Sequence, residues 1–189
     1  MLLGRKDILN FFKKAAKAIL KKETYEQLGK YFNKSNEIFF KFLSGQVFDA
    51  IIVGIITAVA MSILGVKYAV LLGFMIGLFN LIPYFGAIVA VIIAALITIL
   101  TGGIGQAITM VIVVIILQQI DANIINPRII GNSVKISPLL VIFAVTVGGA
   151  YFGVWGMFLA VPIFAILKLI VIEYIEYRSQ KKEIEENII

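Results

Sequence analysis

The sequence contains no cysteine and no histidine. The first absence removes disulfides and thiolate chemistry. The second removes imidazole metal ligands, histidine proton shuttles and every nucleophile that relies on a histidine base. Charge is the next shortage: only 15% of residues are charged, and none lies between Lys67 and Asp121. As continuous helix, residues 68–120 would extend roughly 80 Å, more than twice the roughly 30 Å of a hydrocarbon core, so this stretch must cross or re-enter more than once. Residues 50–66 and 136–167 are uncharged as well. A soluble domain needs polar side chains to cover its surface, and 61% hydrophobic content in 189 residues leaves too few.

The runs are apolar on every face and lack the period-two alternation of barrel strands, which points to helices. The expected fold class is all-α, a polytopic membrane protein. Residues 1–46 hold ten of the 17 Lys and Arg residues. Ile8, Phe12, Ala15 and Ile19 recur there at helical spacing, which predicts a basic amphipathic helix. Its Lys13, Lys14, Lys17 and Lys21 would contact an anionic lipid surface. The apolar face suits a bilayer better than nucleic acid, so no nucleic-acid partner is expected. Thr24 followed by Gln27 fits a capping box opening a second helix.

By the positive-inside rule this head is cytoplasmic, which makes 47–172 the membrane core and 173–189 a charged cytoplasmic tail. Val47–Val66 then runs outward. A hairpin follows, with arms of about 68–82 and 85–100 meeting at Pro83, Tyr84 and Gly86. After a turn at Thr101–Gly103, Gly105–Ile120 runs inward. A second hairpin, Pro138–Gly149 and Phe152–Ile172, turns near Tyr151 and Gly153. Sliding the sequence by 67 positions lays Tyr84-Phe85-Gly86 on Tyr151-Phe152-Gly153. This predicts two inverted units, about 47–100 and 105–172, each one span plus one helical hairpin that either crosses or re-enters. Re-entrance is favoured because the arms are short.

Small residues at four-residue spacing, Gly73 with Gly77, Gly149 with Gly153, and Ala50-Gly54-Ala58, predict close helix packing and raise the expectation of a homo-oligomer. Polar groups are scarce in the apolar segments, so each one carries information. Asn80 ends the first hairpin arm, and Gln119, Asp121 and Asn123 crowd the end of the fourth segment. These four are the candidate contacts for a small polar solute or a monovalent cation. Asp49 and Asp121 are the one conceivable aspartyl pair, but each is placed at the cytoplasmic end of its span with no second motif. Ser133 and Lys135 sit in a loop without an oxyanion site. No enzymatic activity, cofactor or metal centre is therefore expected.

Several ordered motifs are distinctive together. They are Asn80-Leu-Ile-Pro83-Tyr-Phe-Gly86, Gln118 to Ser133 with Asp121, Asn123, Pro127 and Gly131, Pro138-Leu-Leu, and Gly148 through Pro162 to Lys168. Over residues 1–172 they resemble the autoinducer-2 exporter (AI-2E) family of bacterial permeases. The resemblance implies a multi-pass inner-membrane transporter of a small polar solute such as autoinducer-2, or of Na+, Li+ or H+ as coupling ion. Asp121 stands where the family usually has glutamate, and Ala87 where proline is frequent. Family members usually carry further transmembrane helices before the equivalent of this basic head. The chain is therefore expected to be a truncated product or fragment, and a non-transporting oligomeric module is the alternative reading.

Overall fold

The structure, a computed structural model, describes residues 22–130 and 136–186. Lys13, Lys14, Lys17 and Lys21, named above as lipid contacts, lie outside the described residues. All regular structure among the described residues is helical: α1 Lys22–Ile63, α2 Ala69–Phe79, α3 Phe85–Ile120, a π-helical turn Asp121–Ile125, α4 Asn126–Ile130 and α5 Pro138–Glu186. The chain divides into two compact units, Met1–Glu37 and Ile38–Ile189. In the first, residues 22–37 are helical throughout, so Thr24 lies inside a helix and not at its start, and Phe32 is exposed. The second unit holds the remaining helices.

Three stretches, Gly29–Ile63, Phe85–Ile129 and Pro138–Ile175, are long and apolar enough to cross a membrane. Side chains such as Ile55, Leu71, Phe74, Ile92 and Leu100 point outward and are mostly exposed. In water so much exposed apolar surface would be costly, whereas in a bilayer it is the lipid-facing surface. The protein is a multi-pass membrane protein.

The small-residue stripes of α1 and α2 meet each other. A Cβ added to Gly73 would lie 2.5 Å from the Ala58 Cβ, and one added to Gly77 would lie 2.5 Å from the Ala50 carbonyl oxygen. Ala58 pairs with Gly73 and Ala50 with Gly77, so the helices run antiparallel at near backbone contact. Above and below this seam Val53, Met61, Leu72 and Ile76 pack with Ala90, Ala94, Met110 and Val114 of α3 in one core. The second expected stripe is corrected by the structure. Gly153 is not a packing position but the corner of α5, at φ 60° with nothing near its missing Cβ. Gly149 does pack, its added Cβ lying 2.5 Å from Met157 Cε, and beside it Gly148 closes on the Gly156 backbone and Ala160. Phe143 and Phe164, 5.9 Å apart edge to face, join the same two arms further from the corner.

α3 is also broken. Gly103 has φ 83° and ψ 172°, a conformation outside the helical region, so the helix comprises residues 85–102 and 104–120. Each piece rises roughly 26 Å. Both contribute to one core, Ala90 and Ala94 from the first and Met110 and Val114 from the second, so the second piece doubles back. Gln106 secures that end: its Nε2 donates to the carbonyl oxygens of Leu64 at 3.2 Å and Gly65 at 3.0 Å. These carbonyls belong to the α1–α2 connection, where Gly65 and Tyr68 both have positive φ. Gln106→Ala is expected to destabilise the fold by about 1 kcal/mol, the net worth of an ordinary hydrogen bond. Thermal unfolding in detergent measures it.

Between α2 and α3 the chain reverses in five residues. Backbone bonds carry the turn: Asn80 N–H to Ile76 O, Ile82 N–H to Phe79 O and Gly86 N–H to Ile82 O, at 2.9, 3.0 and 3.0 Å. The first turn of α3, which begins after Tyr84, has no side-chain cap. Gly86 is buried where a Cβ would overlap the Phe79 carbonyl, and Tyr84 adopts φ 64°, ψ −56°. A non-glycine residue there stores conformational strain that the surrounding bonds must hold.

Candidate functional site

α1 turns one face inward along Phe42, Gln46, Asp49, Val53, Thr57 and Met61, all buried. The spacing is helical, and three of the six side chains are polar. Gln46 and Asp49, one turn apart, face the tip of the α2–α3 hairpin. The Gln46 amide donates to the Asn80 carbonyl oxygen at 2.8 Å, pinning the backbone of the turn. The Asn80 side-chain Nδ2 then donates to Asp49 Oδ2 at 3.0 Å and to Asp121 Oδ2 at 3.3 Å. From α4, Asn126 Nδ2 reaches Asp49 Oδ2 at 3.4 Å. The two carboxyl groups are thus joined through one amide nitrogen.

Asp121 is delivered by a change of helical pitch. At Asp121 the α-helix passes into a π-helical turn through Ile125. The extra residue in that turn re-aims the backbone, and such turns are frequent at functional sites. As a result Asp121 and Asn126 both face Asp49. Asp49 is fully enclosed, and Asp121 is 8% exposed. Among the described residues, one oxygen of each carboxylate, Asp49 Oδ1 and Asp121 Oδ1, has no hydrogen-bond partner, and neither does Gln118 Nε2. Two like charges about 4 Å apart repel by about 4 kcal/mol at an effective dielectric of about 20. The surrounding groups are neutral amides.

Asp121 forms part of the wall of a cleft of about 540 Å³. Its polar side is Gln46, Asn80, Gln118, Gln119, Asn123 and Asn126, and its apolar side includes Phe42, Tyr84, Ile88, Val141 and Val161. Asp49 lies behind this wall. Two further concavities run along α1 and α2 and are lined almost wholly by apolar side chains such as Val70 and Phe74, as expected of a lipid-facing surface.

Comparison with known proteins identifies the class. The sequence profile described as AI-2E family transporter matches residues 1–176. The chain belongs to the AI-2E transporter family. YrrI of Bacillus subtilis (strain 168) is 35% identical over 139 residues, 74% of this chain and 39% of that relative. YueF of the same organism is 31% identical over 161 residues, 84% of this chain and 43% of the relative. PerM of Escherichia coli (strain K12) is 30% identical over 144 residues, 76% and 41% respectively. All three are named only as putative transport proteins or, for PerM, a permease. The chain thus spans about two fifths of the length of these relatives.

In this AI-2E family chain the residues named from sequence fall into three groups. Asn80 and Asp121 are buried together and share a hydrogen bond. Gln119 and Asn123 line the cleft but are exposed, and the Asn123 amide is engaged with the Gln119 carbonyl of its own helix at 2.7 Å. Of the hairpin tips, Pro83 and Tyr84 line the cleft, with Gly86 buried just behind them. Tyr151 and Gly153 are exposed and are not among the cleft walls. Sequence reasoning gave Asp49 a position near a helix end, where its head group would reach water, placed Asn126 only as a polar residue following that cluster, and did not name Gln46. Asp49 instead turns inward. The signal was present in the sequence, since Gln46 and Asp49 share the helical register of Phe42 and Val53, a buried face.

Proposed function

We propose that this chain forms the core of a secondary transporter, moving a small polar solute or a monovalent cation across the bacterial inner membrane. The carrying observation is a buried carboxylate–amide cluster at a hairpin tip that opens onto a polar cleft. Carboxylates and amides are expensive in hydrocarbon, and in membrane proteins they mark solute and ion paths. The first hairpin is re-entrant. α2 has 11 residues, a rise of roughly 16 Å against the roughly 30 Å of a hydrocarbon core. Its tip meets α1 at Asp49, only roughly 21 Å short of the Ile63 end of that helix. A tip at that depth ends inside the membrane, where its irregular backbone is tolerated because it lines a cavity.

The second unit repeats the plan in inverted sense, with residues 104–120 as its span and the two arms of α5 as its hairpin. Both termini are cytoplasmic by their basic residues. A non-transporting module held together by its small-residue stripes is less well supported. Gly73, Gly77, Ala50 and Ala58 are already consumed inside one chain.

The test is flux in proteoliposomes made with this chain and with a full-length relative. Asp121→Asn and Asn80→Ala are each expected to lower flux at least roughly tenfold, the effect of losing one hydrogen bond to a charged group. Undiminished flux in both variants removes the cluster from the transport path.

A further inference from the structure

Asp49 and Asp121 are linked to the hairpin tip by a single side chain. Both carboxylates accept from the same amide nitrogen, Asn80 Nδ2, and each keeps one oxygen with no partner. Asp49 is completely enclosed, while Asp121 forms part of the cleft wall, so the pair has one sealed member and one facing the cleft. Around it α1 contributes Gln46, the hairpin turn Asn80 and Tyr84, the end of α3 Gln118, and α4 Asn126. Tyr84 is the one titratable group among these. Among the described residues the side-chain donors to the two acids are neutral amides, and two carboxylate oxygens have no partner, an arrangement that favours a bound positive charge.

We propose that Asp49 and Asp121 form an occluded site for a single positive charge, and that filling it releases the Asn80 amide and loosens the first hairpin tip. The occupant is one proton or one desolvated monovalent metal ion. Either one takes the pair from two negative charges to one, relieves their repulsion, and takes over the electrostatic role of the Asn80 N–H groups at the same oxygens. The Gln46 bond to the Asn80 carbonyl does not depend on that charge, so the turn stays anchored while its side chain lets go. Tyr84, four residues further on and held at positive φ, is where the release is felt. The site would thus report its own occupancy to the cleft wall, which rests on the cleft being the solute path.

The absence of native cysteine permits a direct test. A single thiol is introduced as Tyr84→Cys in the full chain in liposomes. Its rate of reaction with a water-soluble thiol reagent is normalised to that of a free thiol at the same pH. One arm varies Na+, Li+ and K+ at fixed alkaline pH against a bulky organic cation, and the other varies pH with no small metal ion present. Filling the site is expected to raise the labelling rate about tenfold, the factor that corresponds to losing one hydrogen bond to a charged group. A response to metal ions at fixed pH identifies a metal occupant, and a response to acid alone identifies a proton.

Adding Asp49→Asn or Asp121→Asn removes the charge to be neutralised. Both backgrounds are expected to label at the fast rate whatever the cation, as is Asn80→Ala, provided their thermal midpoints show them folded. The proposal is overturned if the parent responds to neither arm, or if the Asn backgrounds still respond. Flux separates this from the transport reading. A responsive tip without flux defeats transport alone, and flux with an unresponsive tip defeats the occluded site alone.

Discussion

Asn80→Leu is expected to lower the unfolding free energy by about 3 kcal/mol, the worth of two hydrogen bonds to charged acceptors at about 1.5 kcal/mol each. Leucine matches asparagine in bulk, so the loss is chemical, not a cavity. Two carboxylates that accept from Asn80 Nδ2 at 3.0 and 3.3 Å would lose that donor, and each already has one oxygen without a partner. Breaking one side of a buried charged network strands the other side, whereas replacing both sides by apolar groups is far milder. The double variant Asn80→Leu with Asp49→Leu is therefore expected to recover about half of the loss. Asn80→Asp should be worse than Asn80→Leu, because it adds a third acid to the pair. Thermal or denaturant unfolding in one detergent ranks the set, and an Asn80→Leu variant as stable as the parent would show that the amide does not hold the carboxylates.

Gly86→Val should prevent the first hairpin from closing. The Cβ position at Gly86 overlaps the carbonyl of Phe79, a backbone atom that cannot rotate away like the end of a side chain. That carbonyl also accepts the Ile82 N–H that shapes the turn. Relief requires α2 and α3 to part, which also disturbs the Ile76, Ala90 and Ala94 packing nearby and the strained Tyr84 two residues before. Overpacking a well-filled site typically costs about 1–3 kcal/mol, and more where the clash is with backbone. The expected outcome is loss of folded protein, seen as aggregation on gel filtration in detergent. Gly86→Ala should retain some folded protein with a lowered thermal midpoint. Recovery of Gly86→Val at parental yield and midpoint would mean that the turn is looser than its hydrogen bonds indicate.

The neighbourhood of these two residues explains how much was legible beforehand. Asn80, Pro83 and Gly86 stood out because each is unusual in an apolar run: one polar group, one missing N–H and one missing Cβ. Such residues announce a turn and a buried polar contact without any partner being known. The partner is what stayed hidden. Gln46 and Asp49 precede Asn80 by 34 and 31 residues, and Asp121 follows it by 41. The pairing depends on how far each helix advances before it bends. The break at Gly103 was anticipated as a turn because two glycines stand together there. The π-helical turn at Asp121 was not, since one extra residue per turn leaves no mark on composition. Gly149 and Gly153 show the same limit from another side: a four-residue spacing of glycines reads as a packing stripe, yet Gly153 is a corner, and Gly149 packs against Met157 beside the backbone approach of Gly148 to Gly156.

The sequence by itself determined the solvent and the elements: lipid, from residues 68–120 without charge, and helices, because only they satisfy a backbone inside hydrocarbon. It also carried the motifs by which the chain is an AI-2E family member. Tertiary structure alone decided which of the scarce polar residues meet. Hydropathy records what a side chain prefers as its surroundings, and in an apolar run every neighbour has the same preference. The seam between Ala50-Gly54-Ala58 and Gly73-Gly77 sets the depth of the hairpin tip, and the change of pitch at Asp121 sets the direction of its carboxylate. Backbone geometry therefore brings Asp49, Asn80 and Asp121 to one point, and any other depth or pitch would have left the same three residues apart.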